Sequence, residues 1–237
     1  MQTLIDATGP FTLPTGWHEV TTRQFCATDP LTTVELRANY FAGRAIQVNA
    51  LVADALAWML SAPPTDGRCL KVDDLGQESY LQVETIRTLL AGKPLHECYG
   101  EVLGTLIGRR RLLHVGEFSQ ELAARWAIEC LDWPIADHYG AVMHCLTELE
   151  RLATKYAELA APDPTEAAKR AREAGAEELL GGFGHFNVAK AIAQQMGLTL
   201  DAAYALPYET VCLHLLHERR TAILSDTIQR NAKSSHE

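Results

Sequence analysis

Gly181-Gly182-Phe183-Gly184-His185-Phe186-Asn187 decides how this chain folds, because it punctuates a last third, Glu166 to Arg230, that is otherwise written in helical periods. Before it, Glu166 to Leu180 is rich in Ala and Glu with Lys169 beside Arg170, residues of high helix propensity. After it, Asn187 to Met196 reads as a shorter helix ended by Gly197, and Thr199 caps a one- or two-turn helix through Tyr204. Pro207 then opens a long amphipathic helix with Tyr208, Val211, Cys212, Leu215, Leu216, Ala222 and Ile223 on one stripe. The glycines predict a left-handed helix stop that folds Phe183 and Phe186 back onto the core. A phosphate-loop reading fails: the stretch has no Walker lysine and no GxGxxG register, and no strand precedes it.

Upstream of this third stands Ala161-Pro162-Asp163-Pro164, where two prolines end one helix and let another begin. The sequence therefore predicts a helical body over 1–161 and a smaller C-terminal helical module over 162–237. Within the body, Pro134 opens a helix expected over Ile135 to Ala160, with a stripe from Tyr139 to Tyr156. Further helices fit Val34 to Phe41, a stretch after Gly43 running to Leu60, and Val83 to Leu90. Leu95 to Ile107 is a weaker helix because Gly100 and Gly104 interrupt it, and Glu117 to Leu131 is helical with Leu122, Trp126 and Cys130 on one face. Thr21 or Thr22 caps a short helix, while Phe11 and Leu13 flank Thr12 in a candidate strand. Cys69 to Val72 is a second strand candidate within a loop. The class is mainly α, with at most one or two short strands near the N-terminus.

The formal net charge of −9 makes this an acidic protein and argues against a nucleic-acid partner. Arg109-Arg110-Arg111 is the one basic cluster of note and reads as a solvated turn or helix end. The most apolar run, Ala50 to Leu60, is broken by Asp54 and is too short to span a bilayer. No basic-then-apolar leader opens the chain, and the six cysteines form no CxxC pair. Reduced thiols in the cytoplasm are the expectation.

Cys212-x-His214-x2-His217 is the best metal-like spacing, but Cys212 falls on the apolar stripe and further ligands are wanting. His138 with His144-Cys145 does not share a helix face. Asp73-Asp74 and Glu177-Glu178 read as surface charge, and the four tryptophans as core mass. The residues therefore predict no catalytic group, metal or cofactor. A helical enzyme or ligand-binding protein using His185, His214 or His217 is the alternative.

Two segments carry a resemblance. Leu13-Pro14-Thr15-Gly16-Trp17-His18-Glu19-Val20-Thr21 resembles the opening of tail proteins from phages and prophages of Bacteroidetes-type hosts. Ala174-Gly175 through Gly184-His185-Phe186-Asn187 to Leu206-Pro207-Tyr208-Glu209-Thr210-Val211 is similar to the C-terminal part of the same proteins, which are assigned as tail assembly chaperones. The resemblance implies a non-enzymatic protein of the host cytoplasm. Such a protein binds the tape measure protein, shields its apolar helices, and recruits tail tube subunits, with self-association as a further option. It makes Trp17, Phe183, Phe186 and Tyr208 the candidate partner-binding or structural residues. A structural tail-completion or connector component of the virion is the neighbouring alternative.

Overall fold

A computed structural model describes residues 1–6, 9–31, 33–45, 50–61, 64, 74–110 and 117–234. The expected strand at Cys69 to Val72, and Asp73 and Arg111, lie outside these. The fold is mainly α, and it divides into two compact units that alternate along the chain. One comprises Met1–Val72 and Thr85–Leu146; the other comprises Asp73–Glu84 and Thr147–Glu237. Pro162 to Pro164, where the sequence suggests a boundary, lies inside the second unit.

In the first unit β1 (Gln2–Asp6) pairs antiparallel with β2 (Gly9–Leu13), setting Gln2 against Leu13 and Leu4 against Phe11. The period of two buries Phe11 and Leu13 and leaves Thr12 wet. A 3-10 turn, Trp17–Glu19, follows, then α1 (Thr22–Thr28). Thr21 and Gln24 close a reciprocal capping box at the start of α1, satisfying two backbone donors that a helix end leaves orphaned. α2 (Val34–Ala42) is capped by Thr33 and stopped by Gly43 at φ 68°. The apolar run that follows, expected as one helix, is split at Ala57 into α3 (Ala50–Leu56) and α4 (Trp58–Ser61).

α5 (Tyr80–Gly92) starts in the second unit and ends in the first. α6 (Leu95–Ile107) is unbroken despite its glycines, and the reason is its neighbour. A Cβ at Gly104 would lie 2.4 Å from the Ala123 carbonyl oxygen, and one at Gly100 2.7 Å from that of Ala127. Gly100, Gly104 and Gly108 thus form a side-chain-free stripe, four residues apart, that admits α7 (Gln120–Glu129) at close range. A two-residue ladder of β3 (Arg109–Arg110) and β4 (Glu117–Phe118) joins the pair. Ser119 caps α7, whose buried face is Ala123 and Cys130 rather than Leu122 and Trp126, which stay half-exposed.

Pro134 does not open the long helix directly. Ile135 N–H donates to the Val20 carbonyl (2.9 Å), a 3-10 turn spans Ile135–Asp137, and α8 (Tyr139–Lys155) begins only after His138. Tyr156 then leaves helical geometry before α9 (Ala157–Ala160). α8 passes from the first unit into the second.

The second unit opens with a 3-10 turn, Leu75–Gln77, capped by the Asp74 carboxylate. After α9 the proline segment is pinned by two arginines. Arg219 donates to the carbonyls of Ala161 and Pro162 (2.8 and 2.9 Å), and Arg172 to that of Asp163 (3.0 Å). Thr165 caps α10 (Glu166–Glu173). Gly175, at φ 77°, divides the helix expected over Glu166 to Leu180 and starts α11 (Ala176–Leu180) anew. α12 (Gly184–Met196) ends at Gly197 (φ 66°), Thr199 caps α13 (Leu200–Ala205), and α14 (Tyr208–Ser234) closes the chain. The buried side of this unit is built from Leu75, Tyr80, Val83, Leu152, Tyr156, Ile192, Tyr208 and Val211.

Candidate functional site

Each unit is fastened by the same backbone joint. In the first, Thr21 pairs antiparallel with Pro134: Thr22 N–H donates to the Trp133 carbonyl (2.9 Å) and Ile135 N–H to that of Val20. In the second, Ser79 pairs with Pro207: Tyr80 N–H donates to the Leu206 carbonyl and Tyr208 N–H to that of Glu78, both at 2.8 Å.

Tyr208 belongs to the second joint, and Trp17 stands in the 3-10 turn that leads into the first. Trp17 is buried edge-on against Phe25 and Trp58, with ring centroids 5.9 and 4.9 Å away, so it is core mass of the first unit. Tyr208 is buried in the second, stacked on Tyr80 at 6.0 Å with 15° between planes. Phe183 and Phe186 behave otherwise. The expected fold-back does not occur: Phe183 is 57% exposed and Phe186 37%. Gly181 and Gly182 take no left-handed conformation, and a 3-10 turn, Gly181–Phe183, leads straight into α12, so the chain never reverses over the core. The four candidate residues are therefore split between a buried and a solvent-facing role and make no single site.

The exposed pair is part of something larger. No side chain described between Glu166 and Asn187 is buried. Leu179 is 73% exposed and Leu180 54%, so Leu179, Leu180, Phe183 and Phe186 form one apolar tract in eight residues. Spacing places Phe183 and Phe186 inside, because a glycine stop usually accompanies chain reversal.

The histidines do not converge on a metal. His214 bonds Gln195, the His217 side chain is 75% exposed beside Glu218, and the His185 ring lies 6.3 Å from that of Tyr204. Among the described residues no three His, Cys, Asp or Glu side chains cluster in metal-binding geometry. Burial pushes the Cys26 thiol up to about 12, with Asp29 adding to it, and the Cys130 thiol to about 11, which suits packing rather than nucleophilic work.

His138 is the polar residue that spacing undervalued. It is fully buried, with Nε2 2.8 Å from the Thr22 hydroxyl and Nδ1 3.2 Å from the Tyr99 hydroxyl. The Thr22 hydroxyl donates to the Trp133 carbonyl at 3.1 Å, so it accepts from His138 Nε2–H, and Nδ1 accepts from Tyr99. Burial lowers the imidazole to about 4. The only advance signal was a histidine next to the proline joint. The second joint is instead rimmed by ions: Arg151 meets Asp74 (2.6 Å), Glu148 (3.0 Å) and Glu209 (3.6 Å), and Lys155 meets Glu209 (2.6 Å).

Compared with known proteins, the chain matches no family model, no curated protein and no solved structure. Among the described residues no helix is long and apolar enough to cross a membrane.

Proposed function

We propose that this chain is a non-catalytic interaction protein that holds an apolar helical segment of another protein. On the resemblance of its two end segments, we assign it as a phage tail assembly chaperone acting in the host cytoplasm. Its client is the tape measure protein, to which it brings tail tube subunits. The observation that carries the reading is the tract Leu179, Leu180, Phe183 and Phe186, four large apolar side chains held on the surface of an acidic chain. Leaving such a tract wet forgoes the burial energy of several side chains, about 1.5–3 kcal/mol each, which is the signature of a surface meant to be covered. Contacts of this limited area release readily, as a chaperone requires once the tube has formed.

Co-expression with a tape measure protein tests the reading. Soluble yield of the client rises and the two co-purify; Leu179→Asp with Phe183→Asp removes both effects while the helical signal of the chain persists. A wild-type chain that neither co-purifies with the client nor changes its solubility sinks the proposal.

A further inference from the structure

We infer that the outward stripe of α14 is a docking groove for an amphipathic helix, from another protein, that carries carboxylates beside its apolar face. The inference deepens the interaction reading above and rests on it. Leu213, His217, Arg220, Leu224 and Ile228 recur every three or four residues, so the helix stacks them on one side. Leu213, Leu224 and Ile228 are 55%, 61% and 59% exposed. A groove of about 360 Å³ runs there, lined by Leu213, Leu216, His217, Arg220, Thr221 and Leu224. From Leu213 to Ala232 no side chain of α14 is buried. In proteins most helical stability comes from packing of an apolar side, so this stretch gains from a partner for that side.

Charge selects the occupant. The chain holds 30 acidic against 21 basic residues, yet from Leu213 to Ile228 this side of α14 carries no carboxylate of its own, and Glu209, one turn before Leu213, is already paired with Lys155 and Arg151. Glu218 and Asp226 fall more than a quarter-turn round the helix at 3.6 residues per turn. Arg220 stands mid-stripe. Its Nε and Nη2 donate to Glu158 of α9 at 3.2 and 2.7 Å, and the far edge of the guanidinium is the place where an incoming carboxylate joins that pair. The same geometry disfavours a second copy, because two stripes laid antiparallel about their middle set Arg220 against Arg220.

The protein is titrated with two fluorescein-labelled peptides of about 18 residues, enough to match the stripe at 1.5 Å per residue. Both carry a leucine stripe at helical spacing; one is flanked by Glu, the other by Lys. The Glu peptide binds about ten-fold tighter at low salt, and the preference shrinks as salt is raised. Leu224→Glu with Ile228→Glu weakens it about ten-fold without loss of helical signal, since both positions are exposed. Arg220→Glu reverses the preference between the peptides. Equal affinity for the two peptides, or binding indifferent to the double substitution, overturns the inference. So does a wild-type dimer in sedimentation that the double substitution splits, which assigns the stripe to a second copy. A tape measure client still held by the Leu224→Glu, Ile228→Glu chain sinks this inference alone. Peptide binding without any hold on that client sinks only the chaperone assignment.

Discussion

Thr21 and Ser79 make one joint twice, and the two copies are finished with different chemistry. Each follows a 3-10 turn, each caps a helix with a glutamine three residues on, and each pairs with a proline that precedes another helix. The residue after the cap then differs. Thr22 presents a hydroxyl, and the first joint closes with the buried chain from Tyr99 through His138 and Thr22 to the Trp133 carbonyl. Tyr80 presents a ring, and the second closes with the stacked face of Tyr208. Backbone pairing decides where the units are fastened, and side chains decide what can unfasten them. A buried imidazole makes the first joint sensitive to protons, whereas stacked phenols leave the second indifferent until its carboxylates titrate.

All four tryptophans lie in the first unit, so tryptophan fluorescence follows that unit while far-ultraviolet circular dichroism follows both. The sharpest way to break the comparison is Tyr208→Ala, which deletes a buried ring and should cost about 3–5 kcal/mol. Urea melts should show the loss by circular dichroism, with the tryptophan transition moved far less. Equal movement of both signals would show that the joints do not act locally.

Acid provides the next largest effect. His138 has its folded value lowered to about 4 from an ordinary 6.5, so between those values the unfolded chain binds the extra proton. Stability of the first unit is therefore full above about pH 6.5 and falls by about 3 kcal/mol as pH drops to about 4. His138→Gln should flatten that slope. In the second unit, backbone N–H groups of Gly76 and Thr165 hold the carboxyls of Asp74 and Asp163 below their usual 3.8. Their contribution is present above that value and is lost only as pH falls through the lowered ones. Coincident acid transitions in the two signals would count against the contrast.

Removing the shared element tests the likeness instead. Thr21→Ala and Ser79→Ala each delete a helix cap and should cost about 1 kcal/mol, by equal amounts within error. The smallest effect separates the turns that precede the caps. A Cβ at Gly76 would meet Glu209 Cγ at 2.4 Å, so Gly76→Ala displaces that carboxylate from Lys155 and Arg151 at about 0.5–1 kcal/mol. His18 holds the corresponding place in the first turn and is exposed, and His18→Ala should be silent in the same melt.

Much of this architecture was legible beforehand. The cap at Thr199, a cap at Thr21 or Thr22 (Thr21 in the structure), the stops at Gly43 and Gly197, and the start after Pro207 are local chemistry: a side-chain oxygen for an orphan N–H, a left-handed glycine, a missing donor. Such features depend on a few neighbouring residues, so the order of letters determined them, along with the mainly α class. Only the tertiary structure decided the rest. Gly100 and Gly104 look like helix breakers until α7 arrives within reach of their missing side chains. His138 shows no partner in its own stretch of sequence, and Tyr99 and Thr22, far away along the chain, supply its hydrogen bonds. Phe183 looks buried until Gly181 and Gly182 prove not to turn the chain. In each case the deciding atom belongs to a residue distant in sequence or to a backbone angle that composition leaves free. Burial and exposure follow from that partner, not from the residue itself.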